Sequence, residues 1–400
     1  MTVPFTPAKP KRGRRWIWIS LTLVILLIGG GAAWAYSQTI GSIQNNAVSR
    51  PGATDGPEIP TWDGGVNLLV MGSDTRDNQT TGDYGQDETG QRADAMMVLH
   101  VSADHTNATV VNIPRDTMVS TPECTTPDGE VIPERDGVQI NATLNDGPFC
   151  ALDTVSQLTG LTLDHFIILD FDGAVAATNA VGGVPVCLTE DIFDPYSGLD
   201  LAAGEHVLDG QQALQFVRTR HGFAGESDLS RIKAQQMFLA SLMRTVTDSG
   251  TLGNPVALYN LASAVAPSIT VDDGLSSVDA LMGLAGTLKT VDLEKMAFVQ
   301  LPVEDYYYDS NRVQPIDDQV EALFAALLAD EPLVFQSADE ADQAAGDVTD
   351  DGTVDDGTVD DNTVDDGTGD AVPTPTPTST SFTVPLDVSG QSASDVTCAG

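Results

Sequence analysis

Between residues 65 and 335 apolar side chains gather in short, almost unbroken runs, set apart by polar and glycine-bearing stretches. NLLVM, AMMVLHV, ATVVNI, HFIILDF and GVPVCL have the length and the aliphatic, β-branched content of strands. Several are apolar at nearly every position, the pattern of strands covered on both faces. Elsewhere the spacing turns helical, at about 151–159, 207–215, 228–247, 254–264, 275–288 and 315–329. The alternation predicts an α/β fold, a single layered domain with a central mixed sheet flanked by helices.

The two ends of the chain follow other patterns. Lys9, Lys11, Arg12, Arg14 and Arg15 precede an apolar stretch from Trp16 to Tyr36, and about 20 such residues cross a bilayer. Bases before the span and few after it make 1–15 a cytoplasmic segment and 16–36 a transmembrane signal-anchor, with the rest outside the cell membrane. A cleaved signal peptide is the rival reading, because Ala33-Trp34-Ala35 offers a small-residue site. Residues 37–62 read as a polar linker and 63–335 as the folded domain. After residue 336 comes an Asp-rich five-residue repeat and then a Pro/Thr-rich stretch, so 336–400 reads as a disordered, self-repelling tail.

Charge narrows the chemistry. The 400 residues hold 58 acids against 18 bases, a formal net charge of −40, which excludes nucleic acid as a partner. The bases beyond Arg50 are few, and Arg76, Arg92, Arg115, Arg218, Arg220 and Arg231 fall in five polar clusters. These are Gly72-Ser73-Asp74-Thr75-Arg76 after a strand, Arg92-Ala93-Asp94 before one, and Pro114-Arg115-Asp116 after another. The others are Arg218-Thr219-Arg220, which would form a two-guanidinium fork if extended, and Asp228-Leu229-Ser230-Arg231 opening a helix. On that helix Arg231 and Gln235 share a face. Guanidinium groups suit bidentate phosphate binding, and Asp74 with Asp94 could hold a hard divalent cation such as Mg²⁺ or Mn²⁺. Such a set suits a pyrophosphate. Ser73 lies in no GxSxG elbow, and the five histidines show no metal spacing. Cys124 and Cys150 flank a Pro- and Gly-rich excursion that a disulfide would staple, whereas Cys187 and Cys398 have no obvious partners and could join each other, a connectivity that sequence alone does not fix.

NLLVMGSDTR, RADAMMVLHV, NIPRDTMV, INATLND, DHFIILDFDGAVAATNAVGGVPVCL, LDGQQALQFVRTRH and DLSRIKAQQ, in that order, resemble the LytR-CpsA-Psr family of cell-wall proteins. The resemblance implies a Mg²⁺-dependent phosphotransferase that moves a glycopolymer from a polyprenyl-pyrophosphate carrier to peptidoglycan outside the membrane. It assigns the metal to Asp74 and Asp94. The pyrophosphate clamp falls to Arg92, Arg115, Arg218 and Arg220, with Arg76, Asp228, Arg231 and Gln235 close by. An apolar cavity between sheet and helices, lined from 151–186 and 254–288, would take the lipid. Asp116 and Asp228 are the candidates for accepting the hydroxyl proton. The chain departs from the family at Ala234, where an Arg is common, and at Gln139, where a Lys is common. It also has no cysteine near Glu205 to pair with Cys187. The alternative activities are hydrolysis of the polyprenyl pyrophosphate and a non-catalytic, regulatory binding of lipid or glycan.

Overall fold

Four of the five apolar runs lie side by side in one sheet. The computed structural model describes residues 37, 39–52, 62–73, 92–219, 228–335, 382–384 and 390–398, with the backbone alone for 228–231. The sheet contains β1 (Ala47–Val48), β2 (Val66–Ser73), β3 (Ala93–Val101), β4 (Ala108–Ile113), β5 (His165–Leu169), β6 (Ile269–Asp272), β7 (Met296–Gln300) and β8 (Gly390–Ser392). Their spatial order is β1-β6-β5-β2-β3-β4-β7-β8. The β1–β6, β2–β5 and β4–β7 pairs are parallel and the other four antiparallel, so the sheet is mixed as expected. This register brings the carboxyl ends of β2, β4, β5 and β7 to the same edge as the amino end of β3.

Alternate residues of each strand enter opposite cores, as the pleat requires. Leu69, Met71, Val98, Val111 and Phe166 pack on one face against α1 (Pro148–Thr159) and α7 (Asp317–Leu328). Leu68, Leu99, Val271 and Phe298 pack on the other, where α4 (Asp228–Asp248), α5 (Pro255–Val265) and α6 (Val278–Thr290) lie. A third, smaller core sits beside this second face. It joins α3 (Gly210–Arg218) and α4 to two antiparallel ribbons, Val184–Leu188 with Gly204–Leu208 and Ile192–Asp194 with Leu199–Leu201.

Several expectations change. GVPVCL forms a strand, but in the ribbon with Gly204–Leu208 rather than in the main sheet. A helix, α2 (Phe171–Ala180), follows β5 with Asp170 alone between them, where the sequence pattern predicts the strand HFIILDF and no helix. The segment 37–62 is not all linker, for Ile43 is fully buried and β1 pairs with β6. The residues 336–400 are not all tail either. Phe382–Val384 pairs with Leu333–Phe335, and β8 extends the main sheet beside β7. Ala393 is fully buried, Arg244 on α4 donates to the carbonyls of Ala393 and Asp395, and Cys398 is disulfide-bonded to Cys187. Backbone pairing and a disulfide hold this acidic end, so it needs no hydrophobic pattern of its own. The expected Cys124–Cys150 disulfide is present. No helix among the described residues is long and apolar enough to cross a membrane, and 16–36 lies outside them.

Candidate functional site

At the edge where β2 and β5 end and β3 begins, the second face of the sheet opens into a cavity of about 460 Å³. Its floor is Val70 and Gly72 of β2 with Ala95 and Met97 of β3, and its walls come from α2, α3, α4 and the 192–201 hairpin. Phe238, Leu239 and Leu242 of α4 face Leu169, Ala174 and Ala177, so the depth is apolar. Asp94, Asp170, Asp194, Arg218 and Gln235 add a polar group of both charges to this lining. Ligands of open α/β sheets bind outside the carboxyl ends of strands, and this cavity lies there.

Local sequence fixes each of these side chains. Asp94 stands just inside β3, next to a register shift between Gly72 and Ser73 on β2. Its Oδ1 accepts from Arg115 Nη1 at 2.9 Å, and Arg115 Nε reaches Asp116 Oδ2 at 3.3 Å. Asp116 Oδ1 in turn accepts from Gln139 Nε2 at 3.0 Å. One guanidinium thus bridges two carboxylates, and Gln139, in the place of a common Lys, holds Asp116 by a hydrogen bond from an uncharged amide.

Arg218 is placed by the whole of α3. Asp209 and Gln212 form a reciprocal cap at its start, with bonds of 2.9 and 3.2 Å. Gly210 lies so close to α2 that a Cβ there would collide with the Val175 carbonyl, and its N–H donates to Asn179 Oδ1 at 2.9 Å. With the helix start pinned, Arg218 falls in its last turn, where a cation suits the helix dipole. Its guanidinium lies over the Phe171 ring, 4.8 Å from the centroid. Gln235 Nε2 donates to the Val217 carbonyl at 3.2 Å, tying α4 to the end of α3.

Two further carboxylates line the cavity that the sequence reading did not single out. Asp170 caps α2 by accepting from the Gly173 N–H at 2.8 Å. Burial pushes its pKa above the ordinary carboxylate value, and the Gly173 bond only partly offsets this. Asp194 is buried and accepts from the Tyr196 N–H at 2.9 Å, shaping the turn that carries Tyr196 and Ser197 to the cavity. Neither left a usable signal: no helical pattern follows Asp170 in the sequence reading, and Asp194 offers only the Asp-Pro pair after a short run.

The LytR_cpsA_psr family matches residues 34–327. This chain belongs to the LytR-CpsA-Psr family. Among relatives, "Cell wall biosynthesis protein LcpA" of Corynebacterium glutamicum is 32% identical over 81% of this chain and 68% of its own length. "Polyisoprenyl-teichoic acid--peptidoglycan teichoic acid transferase TagU" of Oceanobacillus iheyensis is 27% identical over 71% of this chain and 87% of its own. The crystal structure of a Streptococcus agalactiae protein, gbs0355, superposes with a TM-score of 0.53 at 21% identity, covering 66% of this chain and 87% of that one.

In this family member Asp94, Arg218 and Gln235 meet at the cavity, and Arg115 joins them through Asp94. Arg92 is exposed and directly precedes β3 at the same edge. Asp74, Arg76 and Arg220 lie outside the described residues, as do the side chains of Asp228 and Arg231. Of the expected lining, 169–178 contributes, but 254–288 does not; α3, α4 and the 192–201 hairpin take its place. Residues of α5 and α6 instead pack into the core of the second sheet face. Cys187 stands in register opposite Glu205, and its sulfur bonds to Cys398 rather than to a neighbour in the ribbon.

Proposed function

We propose that this protein transfers a glycopolymer from a polyprenyl-pyrophosphate carrier to peptidoglycan, on the outer side of the cell membrane. The observation that carries the reading is the apolar cavity with Asp94, Arg218 and Gln235 in its lining and Arg115 fastened to Asp94. An isoprenoid chain fits the apolar depth, and a diphosphate fits the guanidinium groups. The names of two relatives, a cell wall biosynthesis protein and a teichoic acid transferase acting between a polyisoprenyl carrier and peptidoglycan, agree with it.

In this reading Arg218, Arg115, Arg92 and Arg220 hold the diphosphate and neutralise charge that grows as the bridging P–O bond lengthens. A peptidoglycan hydroxyl oxygen attacks the phosphorus that bears the glycan. One O–P bond forms, the bond to the bridging oxygen breaks, and polyprenyl phosphate leaves with the electron pair. The hydroxyl proton passes to a carboxylate of the rim, for which Asp116 is the candidate. Asp94 would hold Mg²⁺ or Mn²⁺ together with Asp74, since it brings hard carboxylate oxygens to the cavity lining. Such an ion supplies Lewis-acid neutralisation of the diphosphate.

The test uses a lipid-linked glycan diphosphate donor, with and without isolated peptidoglycan. Polymer joined to peptidoglycan is expected, and Arg218→Ala should lower its rate at least about 100-fold with the melting temperature nearly unchanged. Release of free polymer alone, whether or not peptidoglycan is added, would assign a hydrolase instead.

A further inference from the structure

The chain leaves the functional edge of the sheet at β7 and forms an antiparallel hairpin, Val303–Tyr306 with Asp309–Pro315. Its turn consists of Tyr307 and Tyr308, which are 85% and 81% exposed. Both are far from any core, yet neither ring stands alone. The Tyr307 and Tyr308 centroids are 5.1 Å apart at 89°, and Tyr306 packs on Tyr308 at 5.5 Å. Edge-to-face pairs of this kind fix ring orientation. Two large aromatic faces are thereby held open to solvent, which a purely structural turn has no reason to do.

The stem of the hairpin is joined to the candidate site. The Val313 N–H donates to the Asp116 carbonyl at 3.3 Å, and Arg312 Nη1 lies 3.5 Å from Met118 Sδ. The Tyr306 hydroxyl lies against Gly137, two residues before the Gln139 that holds Asp116. From Val313 to Tyr308 is roughly 15 Å of extended chain, a distance a few sugar rings would cover. Polar groups border the rings. Glu304 accepts from Gln314 at 2.8 Å, and Asp309 accepts from the Asn311 side chain at 3.0 Å.

We propose that the Tyr307–Tyr308 turn is a stacking platform for a polysaccharide, the glycan backbone of the peptidoglycan acceptor. This rests on the transferase reading for the identity of the glycan. The faces of pyranose rings carry C–H groups that pack on aromatic rings, and their hydroxyls bond to carboxylates and amides such as those along the stem. A bilayer is the other surface that takes exposed tyrosines, and charge disfavours it. Glu304, Asp305 and Asp309 flank the rings in a chain of net charge −40, which anionic headgroups would repel.

The experiment compares the full chain with the double variant Tyr307→Ala/Tyr308→Ala and with Tyr307→Phe/Tyr308→Phe. Binding to isolated peptidoglycan sacculi is read by co-sedimentation, and transfer is read as a function of acceptor concentration. The Ala pair should weaken sacculus binding and raise the acceptor KM by about tenfold, while donor affinity and melting temperature stay unchanged. The Phe pair should retain most of the binding, since it keeps the ring faces. Unchanged sacculus binding in the Ala pair overturns the platform while leaving the transferase reading intact. If the parent chain fails to transfer polymer yet binds sacculi through these tyrosines, the platform stands and the transferase reading falls. Loss of flotation with anionic vesicles, with sacculus binding kept, overturns the proposal in favour of a membrane contact.

Discussion

Arg115 touches Asp94 through Nη1 and Asp116 through Nε, a geometry that needs a planar, multi-donor side chain. A lysine carries one charged nitrogen and cannot span both carboxylates in the same way. Arg115→Lys should therefore keep the fold but lower turnover about 10- to 100-fold, measured with saturating donor. Asp170 offers a test of a different kind. Burial raises its pKa, so its contribution to stability is complete in acid, below the ordinary carboxylate range, and is lost as pH rises through the folded-state value. Asparagine caps a helix about as well as aspartate does. Asp170→Asn should then be more stable than the parent near neutrality, with the difference vanishing in acid, as read from urea midpoints across pH. The Arg-Asp clusters were legible because basic residues are scarce in this chain and each cluster borders an apolar run. Asp170 and Asp194 were not, because an isolated acid in an acidic sequence shows nothing until the fold sets it beside a cavity.

Among the elements, those with a strong period matched closely: 315–329 is realised as Asp317–Leu328 and 254–264 as Pro255–Val265. What escaped has physical causes. HFIIL and FDGAVAATNA are separated by Asp170 alone, so strand and helix merge into one apolar stretch. Strands β1 and β8 join the sheet by backbone bonds to a neighbour, and Gly390-Gln391-Ser392 has no side-chain pattern that could announce it. The C-terminal segment bridges three elements, pairing with β7, bonding to Arg244 on α4, and closing the disulfide to the 184–208 ribbon. Both the ribbon and α4 belong to the small core beside the cavity. Cys398→Ser should cost about 2–4 kcal/mol in denaturant unfolding and should raise the donor KM more than it lowers turnover, because it loosens a cavity wall rather than the charged rim.

Across the whole molecule the acidic residues outnumber the basic ones 58 to 18, and the bases that line or border the cavity sit among carboxylates. Their attraction for a diphosphate is therefore short-ranged, with a surrounding field that opposes anions. Raising salt from about 0.05 to 0.5 M should weaken that opposing field more than the close contacts, so donor affinity should hold or improve, as titration calorimetry would show. The acidic repeat is anchored on both sides. Residues 336–381 begin next to Leu333–Phe335 and end next to Phe382–Val384, two strands that pair with each other. Beyond them, Cys398 is fastened to Cys187. A protease that severs this span once, at any bond, will therefore release no fragment. The nicked protein should migrate as a single band on a non-reducing gel and part into two only after a thiol is added.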